Sequence, residues 1–143
     1  PVEELLYGAL SIKKAIVEQD EREGGLRKIL NLGHTIGHGA EVQSHFEISH
    51  GKGVAIGMAI VSRAGAACGI CECGAKDAIL DILCKFGLPV SCAYSAESLY
   101  RAALSDKKRS GSMVNLIIPE RIGFCRIEPT PVEKIQSFIE AGL

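Results

Sequence analysis

The sequence has no tryptophan, only four phenylalanines, three tyrosines and two methionines among its 143 residues. A core of large aromatic plates is therefore excluded, and packing falls to Leu, Ile, Val and Ala. Charge of one sign is lacking too: 16 basic and 17 acidic residues leave a net charge of −1. That balance excludes the basic footprint of a nucleic-acid binder, while leaving room for a local anion site. Long apolar runs are missing. The most apolar stretch, residues 54–60, is interrupted by Gly57 and soon followed by Ser62 and Arg63, far short of the roughly 20 residues that span a bilayer. "PVEELLYGAL" has neither the basic start nor the apolar centre of a targeting segment. These absences point to a cytoplasmic protein without membrane contact. The start on Pro1, without Met and already in helical pattern, reads as a piece of a longer chain.

What is present suits one globular domain over residues 1–143, long enough to bury a core. Hydrophobic residues make up 47% of the chain and glycine occurs 16 times, so close backbone approaches are expected. Of six cysteines, Cys68, Cys71 and Cys73 form "CGICEC", while Cys84, Cys92 and Cys125 are dispersed. The cluster lacks a second spaced pair to complete four metal ligands, and the chain is not small and loop-rich. Reduced thiols are the expectation.

Periodicity predicts a mainly α, multihelical domain with a small β-hairpin near the C-terminus. A first helix over residues 3–19 is broken by "DEREGG". A second runs from about 25 to 42, and a third from 54 to about 68, apolar on nearly all sides as a central helix would be. A fourth, "AKDAILDILCKFGLP", is stopped by Gly87 and Pro89, and a fifth is capped by Ser95. In "SMVNLIIPERIGFCRIEP", Val114, Leu116 and Ile118 alternate and "PERIG" turns the chain. A last helix is expected to start with Thr130 as cap, Pro131 in the first position and Glu133 in the capping-box position.

Two of only four histidines stand four apart in "LNLGHTIGHGAE", so His34 and His38 share a helix face and can reach a metal or a substrate. The alternative is a buried pair, each satisfied by a backbone carbonyl or a carboxylate. Gly33, Gly37 and Gly39 flank them, each weakening a helix by roughly 1 kcal/mol relative to Ala. Close approach of a ligand or a neighbouring helix would explain that cost. His50 precedes the third helix in "SHGKGVAIGM", where the positive end of the helix dipole disfavours its protonation and a neutral imidazole can bind a metal. A catalytic zinc takes three protein ligands and keeps one position open. His45, in a polar loop, reads as a bystander. "DEREGGLRK", with Glu23 and Arg27, and "SDKKRSGS", with Lys107 and Lys108, read as solvated loops unless the histidines form a site, in which case the lysines suit a phosphate or carboxylate.

Taken together, "DEREGGLR", "LNLGHTIGHGAE", "HGKGVAIGM" and "SDKK", in this order and spacing, resemble the C-terminal domain of 3-dehydroquinate synthase, over essentially the whole chain. The resemblance implies the helical half of a two-domain enzyme that uses NAD and zinc and belongs to the shikimate pathway. Such an enzyme turns 3-deoxy-arabino-heptulosonate 7-phosphate into 3-dehydroquinate and phosphate. By the same resemblance His34 and His50 are zinc ligands, with a third glutamate ligand outside this chain. His38 sits near the substrate phosphate and assists proton transfer. Lys13, Glu23, Arg27 and Asn31 line the substrate site, with Lys13 and Glu23 catalytic, and Lys107 or Lys108 contacts substrate oxygens. NAD falls to an N-terminal domain, and the full-length enzyme is expected to form a homodimer. Lys52 and Gly53 stand where the family commonly has an acidic residue and Ala. A related sugar-phosphate cyclase and a non-catalytic interaction module that retains the fold are the competing expectations.

Overall fold

A computed structural model describes residues 1–22, 24–105 and 112–143. The described residues form six α-helices, one short 3-10 helix and one antiparallel hairpin, and they divide into two units, Pro1–Leu30 and Asn31–Leu143.

In the first unit, α1 (Val2–Gln19) carries Glu3 and Glu4 in its first turn, where carboxylates favour the positive helix end. It exposes Leu5, Leu6, Tyr7, Leu10 and Ile12. The chain then turns around Asp20, whose carboxylate accepts the backbone N–H groups of Gly24 (2.9 Å), Gly25 (2.7 Å) and Arg27 (3.1 Å). These bonds, that from Arg27 foremost, hold the Asp20 carboxyl below its usual range. The 3-10 helix Leu26–Asn31 follows.

The second unit is built around α3 (His50–Ala67), which buries ten of its residues because Ala and Gly let neighbours approach on nearly every side. α2 (His34–Gln43) crosses it, α5 (Ala96–Ala103), β1 (Met113–Arg121) and α6 (Val132–Glu140) complete the main core, and β2 (Phe124–Pro131) pairs with β1. That core joins Ile36 and Ala40 of α2, Ile56 and Ile60 of α3, Leu99 of α5, Leu116 and Ile118 of β1, and Ile135 and Ile139 of α6. A second cluster packs Ala55 and Ala59 of α3 on Ile79 and Leu83 of α4 (Cys73–Lys85). Gly87, at φ +67°, ends α4 in the left-handed conformation, with Leu88 N–H bonded back to Leu83 O at 2.9 Å. Ser95 caps α5 as expected, its Oγ accepting from Ser98 N–H at 3.1 Å.

Three local expectations are corrected. The helix read over 25–42 is two pieces, because Gly33 at φ +76° breaks it between the 3-10 helix and α2. α3 begins four residues earlier than residue 54, at His50 itself. Thr130 does not cap α6: strand pairing continues through Val114↔Thr130 and Met113↔Pro131, so Pro131 is the cap residue and the Thr130 hydroxyl donates to Glu128 O at 3.0 Å. Strand pairing thus overrides the capping pattern. No described helix is long and apolar enough to cross a membrane.

Candidate metal and substrate site

The glycines of α2 meet the glycines of α3. A Cβ on Gly37 would come within 2.6 Å of Gly53 O, and one on Gly57 would collide with Gly33 O. Gly39 faces α5 instead, where a Cβ would lie 2.7 Å from Leu99 O. The helix cost of these residues is therefore offset by backbone-to-backbone approach between helices, the second of the two explanations the sequence allowed.

That crossing sets the first residue of α2 beside the first residue of α3. The rings of His34 and His50 stand 5.2 Å apart between centroids, at 63° to each other. His34 Nδ1 lies 3.2 Å from Leu32 O and His50 Nδ1 lies 2.6 Å from Glu41 Oε1. A carbonyl and a carboxylate only accept, so both Nδ1 atoms carry hydrogen, and in a neutral ring that leaves the lone pair on Nε2. The backbone-carbonyl partner weighed from sequence for His34 is thus present, and in His34 and His50 alike the contact falls on Nδ1 and not on Nε2. The two imidazoles wall an open cavity of about 300 Å³ with Val54, Ala55, Met58, Leu83 and Leu88.

His38, one turn after His34, is exposed, with Nδ1 3.6 Å from Glu41 Oε2. Asn31 ends the 3-10 helix and, with Gly33 and Thr35, borders a small cavity against β1. Lys13, exposed on α1, and Arg27, whose guanidinium donates to Glu21 O at 3.0 Å, belong to the first unit. Glu23 and Lys107 lie outside the described residues, as does Lys108. His45 is exposed, in a turn where it and Phe46 both take positive φ.

Glu41 is the residue that sequence reasoning passed over. Its signal, a carboxylate three positions after His38, was present in "GHGAE". Its meaning depends on the tertiary contact with His50.

All six cysteines are free thiols, and burial pushes Cys71 and Cys125 up from the usual thiol range. Among the described residues no three His, Cys, Asp or Glu side chains are placed to hold a metal. His34 and His50, each with its contact on Nδ1, would fit zinc through Nε2 as two of its ligands, and further ligands would be needed.

A helical domain that brings two histidines together at a glycine-lined helix crossing is the class that fold and geometry define. The 3-dehydroquinate synthase C-terminal family model matches residues 1–109, and the chain belongs to that family. The 3-dehydroquinate synthase of Enterococcus faecalis is 39% identical over 145 residues, covering 99% of this chain. That of Clostridium kluyveri is 37% identical over 140 residues, covering 96%. The chain spans about 40% of the length of these relatives. Among solved structures, a 2-deoxy-scyllo-inosose synthase complexed with carbaglucose-6-phosphate, NAD+ and Co2+ shares the fold, with TM-score 0.81 and 22% identity over 99% of this chain and 41% of that one. The 2-epi-5-epi-valiolone synthase of Streptomyces hygroscopicus subsp. jinggangensis, with NAD+ and Zn2+ bound, gives TM-score 0.72 and 27% identity over 90% of this chain and 35% of that one.

Proposed function

We propose that this chain is the zinc- and substrate-binding half of a 3-dehydroquinate synthase, acting on 3-deoxy-arabino-heptulosonate 7-phosphate with release of phosphate. One observation supports the reading: the His34 and His50 rings lie 5.2 Å apart between centroids, each with its contact on Nδ1 rather than Nε2. Zinc held by this pair, with a glutamate from the rest of the protein, supplies Lewis-acid stabilisation of negative charge on a substrate oxygen. NAD, bound mainly by the N-terminal domain, supplies the transient oxidation.

The chain's own residues bind, orient and move protons. In this reading His38, exposed beside the Glu41 carboxylate, carries a proton to or from the leaving phosphate. Lys13, Arg27, Asn31 and Lys107 hold the carboxylate, hydroxyl and phosphate groups of the substrate, so that each later step begins in position. Glu23 joins Lys13 as a catalytic residue. Val54, Met58 and Leu88 form an apolar wall beside the imidazoles.

The fold shared with 2-deoxy-scyllo-inosose synthase supports a second reading, a sibling sugar-phosphate cyclase acting on another phosphorylated sugar. The "EREGGLR" and "SDKK" elements favour the first. A non-catalytic module has no physical need for His34 and His50 to meet over a buried carboxylate.

The test is phosphate release by the full-length protein supplied with NAD+, Zn2+ and the heptulosonate phosphate. Zinc-dependent release, abolished in H34A and H50A, is expected. No release from folded, zinc-loaded protein overturns the reading, and turnover of a hexose 6-phosphate instead selects the sibling.

A further inference from the structure

Glu41 is only 8% exposed, on the face of α2 that packs toward α3. Burying a carboxylate is costly unless charged or hydrogen-bonded partners meet it. Its partners are two histidines: Oε1 lies 2.6 Å from His50 Nδ1 and Oε2 lies 3.6 Å from His38 Nδ1. The packing is arranged around it. A Cβ on Gly53 would come within 2.8 Å of Glu41 Cγ, so the bare backbone of α3 leaves the space the side chain fills.

We infer that Glu41 is the positioning residue of this site, its carboxylate fixing the His50 tautomer and ring orientation so that Nε2 is presented to the metal. This rests on the reading that His34 and His50 hold a metal. An acceptor on Nδ1 keeps the hydrogen there, and a charged acceptor makes Nε2 a stronger donor to a cation. Leu32 O does the same for His34 with a neutral carbonyl. The two ligands are thus set up unequally: backbone fixes one, and a removable side chain fixes the other. The second oxygen of Glu41 faces His38, which ties the metal-facing and substrate-facing histidines to one buried carboxylate.

The test uses the full-length protein labelled with 15N-histidine. In the metal-free wild type, long-range 15N–1H NMR is expected to find the His50 hydrogen on Nδ1; hydrogen on Nε2 overturns the inference without any variant. E41A is expected to give mixed His50 tautomers and about 10- to 100-fold weaker zinc binding. E41Q, which keeps a carbonyl acceptor, should retain the Nδ1–H form and recover part of the affinity. A folded E41A that binds zinc as tightly as wild type contradicts the inference. If E41A does not fold, the wild-type tautomer and the E41Q affinity decide. H34A and H50A run alongside: loss of zinc in these with none in E41A removes only the role of Glu41, whereas zinc retained in H34A and H50A removes the metal reading itself.

Discussion

His34 and His38 look equivalent in the sequence, four residues apart on one helix, yet their surroundings differ. His34 lies against His50 with its Nδ1 on a backbone carbonyl, whereas His38 is exposed beside a carboxylate. His34, His38 and His50 stood out in the sequence because few residue types carry metal chemistry, and the family resemblance singled out His34 and His50 as the expected ligands. The nitrogen each would use could not be read there, because it depends on Leu32 O and Glu41, and the Glu41–His50 pair forms only when α2 crosses α3. Removing either His34 or His50 should therefore cost zinc at the site without touching any thiol. The thiols give an independent prediction. Exposed Cys68, Cys73 and Cys84 should be alkylated quickly at neutral pH, and Cys71 and Cys125 slowly, since burial disfavours their thiolates. Mass-spectrometric labelling over time checks the order. Equal rates at Cys71 and Cys73 would contradict the packing around Cys71.

At the scale of elements, the glycines of "LNLGHTIGHGAE" announced a close approach, and helix periodicity placed the helices nearly correctly. What approached was not legible, since a glycine face serves a ligand and a helix equally well; Gly53 and Gly57 of α3 supply the answer. The α6 cap was misread for a related reason: "TPVEK" matches a capping box locally, but pairing with Met113 and Val114 holds Thr130 and Pro131 in the strand. G57A forces a methyl group onto Gly33 O, and overpacking of this kind should cost about 3 kcal/mol, lowering the melting temperature by roughly 10 °C. Thermal unfolding of the variant checks it; an unchanged melting temperature would contradict the crossing.

The turn after α1 predicts a pH response. Because backbone N–H groups stabilise ionised Asp20, its folded pKa lies below the unfolded value, so its contribution is complete above the ordinary value near 3.8 and is lost as pH falls through the lower folded value. The amide resonances of Gly24, Gly25 and Arg27 should titrate together with a midpoint below 3.8. A midpoint at or above it would contradict the turn.

For the molecule as a whole, the chain spans about 40% of the length of its curated relatives, and two histidines make an incomplete zinc set. Most of the fold class was readable because helical periodicity and hairpin alternation are local signals. The roles expected for Lys13 and Arg27 came from the family resemblance instead, since no local spacing links these first-unit residues to the histidines of the second, and the remaining zinc ligand is expected from another part of the protein. This chain alone should therefore bind zinc more weakly than the full-length protein, a difference that competition with a chromophoric chelator measures.

The central claim is that His34 and His50 together hold a metal. X-ray absorption at the zinc edge of the full-length protein tests it most directly. Two imidazole nitrogens at about 2.0–2.1 Å are predicted, with the remaining scatterers oxygen, and the imidazole signal should fall in H34A and H50A. A shell of sulfur at about 2.3 Å, unchanged in both variants, would contradict the account and move the metal to the cysteines.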